Sequence, residues 1–296
     1  MSRFIPDDVA LARAQNGEAP ALRPVSARPP LHTYIRQLWQ RRHFIRMQGW
    51  SQAMAQHQGT LLGNLWLIVA PIIDGMVYFF VFGMLFPGSK GIPNFFGYLV
   101  IGVFLFTFTS RVLTGCVRCI ETDRGLIRAF AFPRAALPVA VVWRELIGLL
   151  PVLYALAILL FVVPPYGKLG WAWVYFPGIL ALQTVFNLGL GFILARLGAR
   201  LPDLRHLVPY AMRLLLYSSA VMFAIDRFDD HPPLDVIARH NPIFLVLDAS
   251  RGILLHNTPP AMDTWWQLAA WAFGTLLIGL VFFWQAEVKY ARHALG

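Results

Sequence analysis

Residues 169–195 read LGWAWVYFPGILALQTVFNLGLGFILA and contain no Asp, Glu, Lys or Arg. A helix of about 20 residues, rising about 1.5 Å per residue, crosses the roughly 30 Å hydrocarbon core of a bilayer. This stretch is long enough to do so. Because uncharged apolar runs of this length indicate a transmembrane helix, the stretch decides how the rest of the sequence is interpreted.

Five further stretches have the same character. Three carry no charged residue, at 91–110, 146–167 and 264–286, and two carry one each, Asp74 within 61–89 and Arg213 within 207–225. The sequence therefore predicts an all-α polytopic membrane protein with a six-span domain at 61–290. The predicted spans are about 61–88, 92–115, 139–164, 171–196, 206–226 and 265–286.

The composition favours the same class. Hydrophobic residues make up 57% of the chain and charged residues 14%, whereas soluble domains average about 25% charged residues. Cys116 and Cys119 form a CxxC without a second pair or nearby histidines, so they predict helix packing and no metal site. The sequence has no GxxxxGK[ST] phosphate loop, HExxH or GxSxG, which predicts no enzymatic activity and no cofactor on this chain.

The net charge of +10 is unevenly distributed along the sequence. Of the 25 Lys and Arg residues, 17 fall in 1–60, 118–137, 196–206 and 287–296, and five fall in the alternating loops. By the positive-inside rule both termini are predicted to be cytoplasmic, with 287–296 a short tail. Since no basic cluster has a folded soluble domain to present it, the excess indicates lipid headgroups rather than nucleic acid.

The segment before the first span has two parts. Residues 1–30 are rich in Ala, Pro and Arg and predict a disordered cytoplasmic tail. Within the interface region 31–60, residues 31–47 place apolar side chains at helical spacing and predict an amphipathic helix at the cytoplasmic membrane surface. Its candidates for contact with headgroups are Arg36, Trp39, Arg41, Arg42 and Arg46.

Two features inside the membrane region are unusual. Asp74 lies deep in the first span, where an ionised carboxylate costs at least about 2.5 kcal/mol, so it should face other helices or a watery cavity. Arg111, Arg144 and Arg213 are its candidate partners. The external segment 227–264 contains uncharged stretches too short to span, and these predict re-entrant helices before the last span.

An ordered set of motifs runs along the chain. Leu62-Gly63-Asn64-Leu65-Trp66 precedes Pro71, and a Tyr98-Leu99 pair precedes Gly102 in the second span. Residues 126–134 read LIRAFAFPR, Asp203 follows the fourth span, and Asn241-Pro242 with Arg251 precede the last. Over about residues 31–290 this set resembles the ABC-2 type permeases of bacterial polysaccharide exporters, which move O-antigen, capsule, teichoic acid or galactan chains.

The resemblance implies a permease in the bacterial inner membrane that works as a homodimer with two copies of a separate ABC ATPase subunit. That subunit would hold ATP and magnesium, and the substrate would be a lipid-linked glycan. Only three of the 25 basic residues are Lys, as in proteins from GC-rich bacterial genomes. This composition favours an O-antigen or galactan substrate over teichoic acid.

The resemblance also implies roles for particular residues. The 126–134 segment would be a coupling helix docked in the ATPase through apolar side chains, braced by the 31–47 helix, whose arginines would attract the glycan pyrophosphate. The residues of the coupling helix that would contact the ATPase are Leu126, Ile127, Arg128, Phe130, Phe132, Pro133 and Arg134. The channel would be lined by Trp66, Asp74, Tyr78, Arg213 and Tyr217, and the external gate formed by Asn241, Pro242 and Arg251.

Three other functions fit parts of the sequence. An ABC-2 permease for a drug or small lipid would have the same fold and a narrower, less polar channel. A secondary carrier would require inverted repeats and several intramembrane charges, and the sequence shows neither. A membrane acyltransferase would need His231 and Asp235, whose spacing does not match a catalytic pair and whose intervening prolines favour a turn.

Overall fold

The computed structural model describes residues 30–55, 63–78, 80–81, 94–129, 132–163, 170–219, 221 and 240–287. Within these ranges the regular structure is helical, without strands. The α-helices are α1 (Leu31–Gln40), α2 (Arg42–Ala55), α3 (Trp66–Tyr78), α4 (Phe95–Thr122), α5 (Arg124–Ala129), α6 (Ala136–Val162), α7 (Phe176–Arg200), α8 (Leu204–Ser218), α9 (Pro242–His256) and α10 (Met262–Trp284). Residues 1–29 of the predicted tail 1–30 lie outside the described residues, as do Phe130, His231, Asp235 and 288–296.

Four helical segments are long and apolar enough to cross a membrane. They are α4, α6, α10, and α7 extended by the 3-10 turn Trp171–Tyr175. The all-helical membrane architecture is thereby confirmed. Helices α3 and α8 have 13 and 15 residues and occupy predicted spans one and five. Since about 20 residues are needed to cross, these two spans stay predictions.

Helix α4 is the centre of the bundle. It packs against α3, α6, α7, α8 and α9, and most of its side chains are buried. Its buried side chains are mainly apolar, as expected for a helix that is covered by neighbours on most of its surface. Asn94 caps its start, because its side-chain oxygen accepts the Gly97 N–H at 3.0 Å.

Helices α7 and α10 form the most extensive helix pair among the described residues, and their backbones approach closely at two glycines. A β-carbon at Gly279 would overlap the Gly189 backbone, and one at Gly189 would overlap the backbone of Thr275 and Leu276. Small residues allow such approach where helices associate in a bilayer. The absence of side chains at Gly189 and Gly279 therefore sets the distance between α7 and α10 at their contact.

Helix α9 lies against α4 and α7 at one end of the bundle, which we call the α9 end. Its N terminus is capped by Asn241, whose side chain accepts the Ile243 N–H, and it ends at Asn257 in a left-handed conformation. The Asn257 side chain accepts the Ala172 N–H at 2.9 Å. The helix is short and largely buried in protein, as a re-entrant segment must be, and that assignment stays a prediction.

The amphipathic helix is longer than the sequence predicts. Helix α1 gives way at Arg41 to α2, which runs to Ala55 instead of ending near Met47. The extension packs on α6, where a β-carbon at Gly49 would meet the Trp143 side chain and the Ala140 carbonyl. Contact of the small residue Gly49 with α6 therefore accompanies the continuation of the helix beyond Met47.

Candidate functional site

A cavity of about 830 Å³ lies between α2, α3, α4 and α6. Its α4 wall runs from Val103 to Asp123, which is about 30 Å of helix at 1.5 Å per residue. Helix α3 contributes the opposite wall with Trp66, Pro71, Asp74 and Tyr78. The cavity thus extends along most of a membrane-spanning helix.

The α4 wall contains a row of polar side chains. Thr107, Ser110, Arg111, Thr114 and Arg118 recur at intervals of three and four residues and line the cavity. This spacing places them on one face of α4. Hydroxyl and guanidinium groups inside a membrane are tolerated when they face a water-filled space. The polar face of α4 therefore lines the cavity along most of the helix.

Charged groups of both signs line the same cavity. The Arg144 guanidinium lies 2.7 Å from the Glu145 carboxylate and donates to the Gln52 side chain at 3.3 Å. Asp74 and Arg111 are exposed to the cavity, and neither forms an ion pair with another described residue. The Asp74 partnership considered from the sequence is therefore absent from the described ranges.

Asp123 lines the cavity immediately after α4 ends. Burial raises the pKa of its carboxyl above the ordinary value, and the positive charge of Arg144 opposes that shift. The carboxyl consequently holds its proton more tightly than an exposed aspartate does.

The predicted channel residues fall into two groups. Trp66, Asp74 and Tyr78 lie together on the cavity. Arg213 and Tyr217 are exposed on α8 and do not line it, and the Arg213 guanidinium lies 6.0 Å from the Tyr210 ring centroid. The structure thus brings three of the five together.

The predicted coupling helix 126–134 is helical in α5 as far as Ala129, whereas Phe132, Pro133 and Arg134 lie in a non-helical segment that leads into α6. Ile127 is buried, and Phe132 is 9% exposed with its ring centroid 5.6 Å from that of Phe44 in α2. This differs from the apolar docking surface that the sequence predicts, because α2 covers Phe132. Among the described residues of the segment, Leu126 and Arg134 are half-buried, Pro133 is buried and Arg128 is exposed.

The basic residues predicted to contact headgroups are all exposed on α1 and α2: Arg36, Arg41, Arg42 and Arg46. Trp39 is 69% exposed, and the Arg42 guanidinium lies 5.5 Å from its ring centroid. The Arg46 guanidinium lies 5.5 Å from the Trp143 ring of α6. This surface is therefore available to lipid or to a partner.

The predicted gate residues hold the α9 end together. The Arg251 side chain is buried, donates to the carbonyls of Tyr98 at 3.1 Å and Val221 at 3.0 Å, and stacks on the Tyr98 ring. A β-carbon at Gly102 would clash with its guanidinium. The Asn241 amide, next to Pro242 at the start of α9, donates to the Ser219 hydroxyl at 3.0 Å. The motif that contains Tyr98 and Gly102 and the motif that contains Asn241 and Arg251 therefore meet at the buried Arg251 side chain.

A buried polar cluster at the opposite end was not predicted. The Glu287 carboxylate accepts hydrogen bonds from the Tyr34 hydroxyl and from the backbone and side chain of Arg134. These groups join α1, the turn before α6 and the end of α10, and we call this region the α1 end. The sequence offered one signal that Glu287 is unusual, because it is the only acidic residue after Asp263.

The described residues contain no group of three or more His, Cys, Asp or Glu side chains placed to hold a metal ion. Cys116 and Cys119 are buried free thiols. A β-carbon at Gly191 of α7 would meet the Cys116 sulfur, so this thiol occupies space at the α4–α7 contact.

Comparison with known proteins places this architecture in a family. The family model described as ABC-2 type transporter matches residues 48–255. The O-antigen export system permease protein RfbA of Myxococcus xanthus is 25% identical over 254 residues, covering 86% of this chain and 93% of the relative. RfbA of Klebsiella pneumoniae is 24% identical over 203 residues, covering 69% and 76%. The polysialic acid transport protein KpsM of Escherichia coli is 23% identical over 236 residues, covering 76% and 86%. Since the family model covers more than half of the sequence, the chain belongs to the ABC-2 type transporter family.

Proposed function

We propose that this chain is the membrane subunit of an ATP-driven exporter that moves a lipid-linked polysaccharide, of O-antigen or galactan type, across the bacterial inner membrane. The observation that carries the proposal is the similarity to O-antigen export permeases over most of both chains. The subunit works as a homodimer with two ABC ATPase subunits, which bind ATP and magnesium. Both termini face the cytoplasm, where the basic residues concentrate.

The cavity supplies the substrate path in this proposal. Its hydroxyl groups on α4 suit a carbohydrate, and Arg111 suits the diphosphate that links a glycan to its lipid. Arg36, Arg41, Arg42 and Arg46 on the surface of α1 and α2 attract the same diphosphate before it enters. Since about 830 Å³ holds a headgroup and not a polymer, a longer channel requires the second copy of the chain.

The dimer provides that channel. Helices α3 and α8 expose large apolar or aromatic side chains outside the cavity, including Met76, Val77, Leu214 and Tyr217. A second copy packed along these helices places Arg213 and Tyr217 beside the channel axis. Arg251 holds α9 against α4, and Asn241 holds it against Ser219 at the end of α8, so that together they close the outer end of the channel.

ATP drives the cycle through the coupling segment. Closure of the ATPase pair pushes on α5 and on the turn at Phe132-Pro133-Arg134, which opens the path between α3 and its counterpart in the dimer. Arg128 and the half-buried Leu126 are the contact residues for the ATPase, because Ile127 and Phe132 are packed within the chain.

Replacing Arg111 by glutamine tests the substrate path. In a strain lacking the chromosomal copy, we expect Arg111→Gln to lower surface polysaccharide about tenfold relative to wild type, the effect of losing one hydrogen bond to a charged group. Quantitative immunoblotting of the surface glycan measures this. Arg200→Gln, at an exposed arginine at the end of α7, is the matched control and should export normally.

Two results would oppose the proposal. Normal export by Arg111→Gln at wild-type protein level would remove the cavity from the path. Unchanged surface glycan in the strain without the chain, together with new sensitivity to small apolar compounds, would favour the drug or lipid permease instead.

A further inference from the structure

The Glu287 carboxylate is an unusual group at the α1 end of the bundle. The residue is 3% exposed, yet its carboxylate has three hydrogen-bond donors. The Tyr34 hydroxyl donates at 2.7 Å, the Arg134 backbone N–H at 3.0 Å and the Arg134 guanidinium at 3.1 Å. A buried carboxylate is stable in protein when donors and a positive charge compensate it, as they do here.

Tyr34 closes the cluster. Its side chain is 1% exposed, and its hydroxyl accepts the Ala135 N–H at 3.0 Å while donating to Glu287. Tyr34 lies on the amphipathic helix, Ala135 lies at the start of α6, and Glu287 lies just beyond α10. One hydroxyl and one carboxylate therefore bind three segments that are distant in sequence.

The cluster resists separation of these segments. If the turn at Arg134 moved away from Glu287, a buried charge would lose its counterion and two of its three donors, which is strongly unfavourable. If α1 moved away, the Tyr34 hydroxyl would leave both Glu287 and Ala135. Moving one segment alone breaks these hydrogen bonds, whereas moving all three together keeps them. Joint movement of the three segments therefore has the lowest free-energy cost.

We propose that Glu287 is the positioning residue that makes the coupling turn, the amphipathic helix and the last helix move together during transport. This inference rests on the proposed function, since it assigns the path taken by motion from the ATPase. A push on the turn at Arg134 reaches α10 through Glu287. Because α10 contacts α7 backbone to backbone at Gly279 and Gly189, the motion passes on to α7.

Two conservative variants test this role. Glu287→Gln keeps the size of the side chain and removes its charge, and Tyr34→Phe removes a single oxygen. The measurement is glycan exported per ATP hydrolysed by the purified complex in proteoliposomes. We expect both variants to assemble with the ATPase and hydrolyse ATP, and the export ratio to fall about tenfold for Glu287→Gln and less for Tyr34→Phe.

A double variant and a control make the test specific. If both residues act through one cluster, Tyr34→Phe combined with Glu287→Gln exports no less per ATP than Glu287→Gln alone. Glu121→Gln is the matched control, because Glu121 also pairs with an arginine, Arg205 at 2.8 Å, but both side chains are about 40% exposed. Exposed pairs contribute little, so its ratio should equal that of wild type.

The outcomes distinguish failure of the role assigned to Glu287 from failure of the proposed export function. A wild-type complex that exports normally, with unchanged ratios in Glu287→Gln and Tyr34→Phe, overturns this inference and leaves the proposed function in place. A wild-type chain without ATP-dependent export overturns both. If Glu287→Gln does not accumulate, Tyr34→Phe decides, because a normal ratio in that variant would show that the cluster does not transmit motion.

Discussion

Alanine at Gly279 is expected to destabilise the protein by about 2 kcal/mol or more, although it adds a single methyl group. A β-carbon at this position would coincide with the Gly189 backbone of α7, so no side-chain rotation can relieve the overlap. The two helices must move apart, and the α7–α10 contact loses its packing along its length. Gly189→Ala should have a similar effect for the reciprocal reason.

Thermal unfolding in detergent, followed by circular dichroism, measures this effect. Gly274→Ala is the matched control on the same helix, because nothing lies within 4 Å of a β-carbon placed there. We expect Gly274→Ala to melt at or slightly above the wild-type temperature, because alanine favours the helix over glycine, and Gly279→Ala to melt well below it. Equal melting temperatures for the two variants would show that α7 and α10 are not in backbone contact.

Replacing Arg251 by leucine is expected to cost about 3 kcal/mol. The buried guanidinium donates to the carbonyls of Tyr98 and Val221, and its removal takes this donor away from a part-buried and a buried acceptor. The stacking of its planar group on the Tyr98 ring is lost as well. Because these contacts fasten α9 to α4, the α9 end should loosen before the rest of the bundle unfolds.

Hydrogen exchange with mass spectrometry locates this loosening. Arg251→Leu should raise exchange in α9 and at the start of α4 more than elsewhere. Arg251→Lys should fall between leucine and wild type, since an ammonium group lacks the planar fork and its stacking. His256→Gln, at an exposed position of the same helix, is the control. Exchange unchanged in Arg251→Leu would argue that the arginine does not hold α9 in place.

The long helices could be predicted from the sequence because uncharged apolar runs of 20 residues or more have few alternatives. The four long spans follow this rule directly. The length of α2 and the burial of Phe132 could not be predicted, since both depend on the packing of α2 against α6 and against the segment that precedes it. A helix whose side chains are nearly all apolar gives little indication of which neighbour covers it.

The same distinction applies to the candidate site: residues with a local signal in the sequence could be predicted, and residues that only packing brings together could not. Asp74, Trp66 and Tyr78 could be predicted because polar or aromatic residues in an apolar span are conspicuous. The α4 hydroxyl groups of Thr107, Ser110 and Thr114 were missed, because they occur in an apolar sequence and only packing shows that they share a cavity. The Tyr34–Glu287 contact joins residues 253 positions apart, and a single sequence holds no local signal for such a pair.

The central claim is that this chain is a permease driven by a separate ABC ATPase. The most direct measurement is purification of the tagged chain in mild detergent together with the ABC ATPase encoded beside it, with the mass of the complex and its ATPase rate determined. We expect two copies of each subunit, and a hydrolysis rate that falls when Arg128 at the exposed face of α5 is changed to glutamate. A chain that purifies alone as a monomer, with no bound ATPase and no stimulated hydrolysis, would contradict the account.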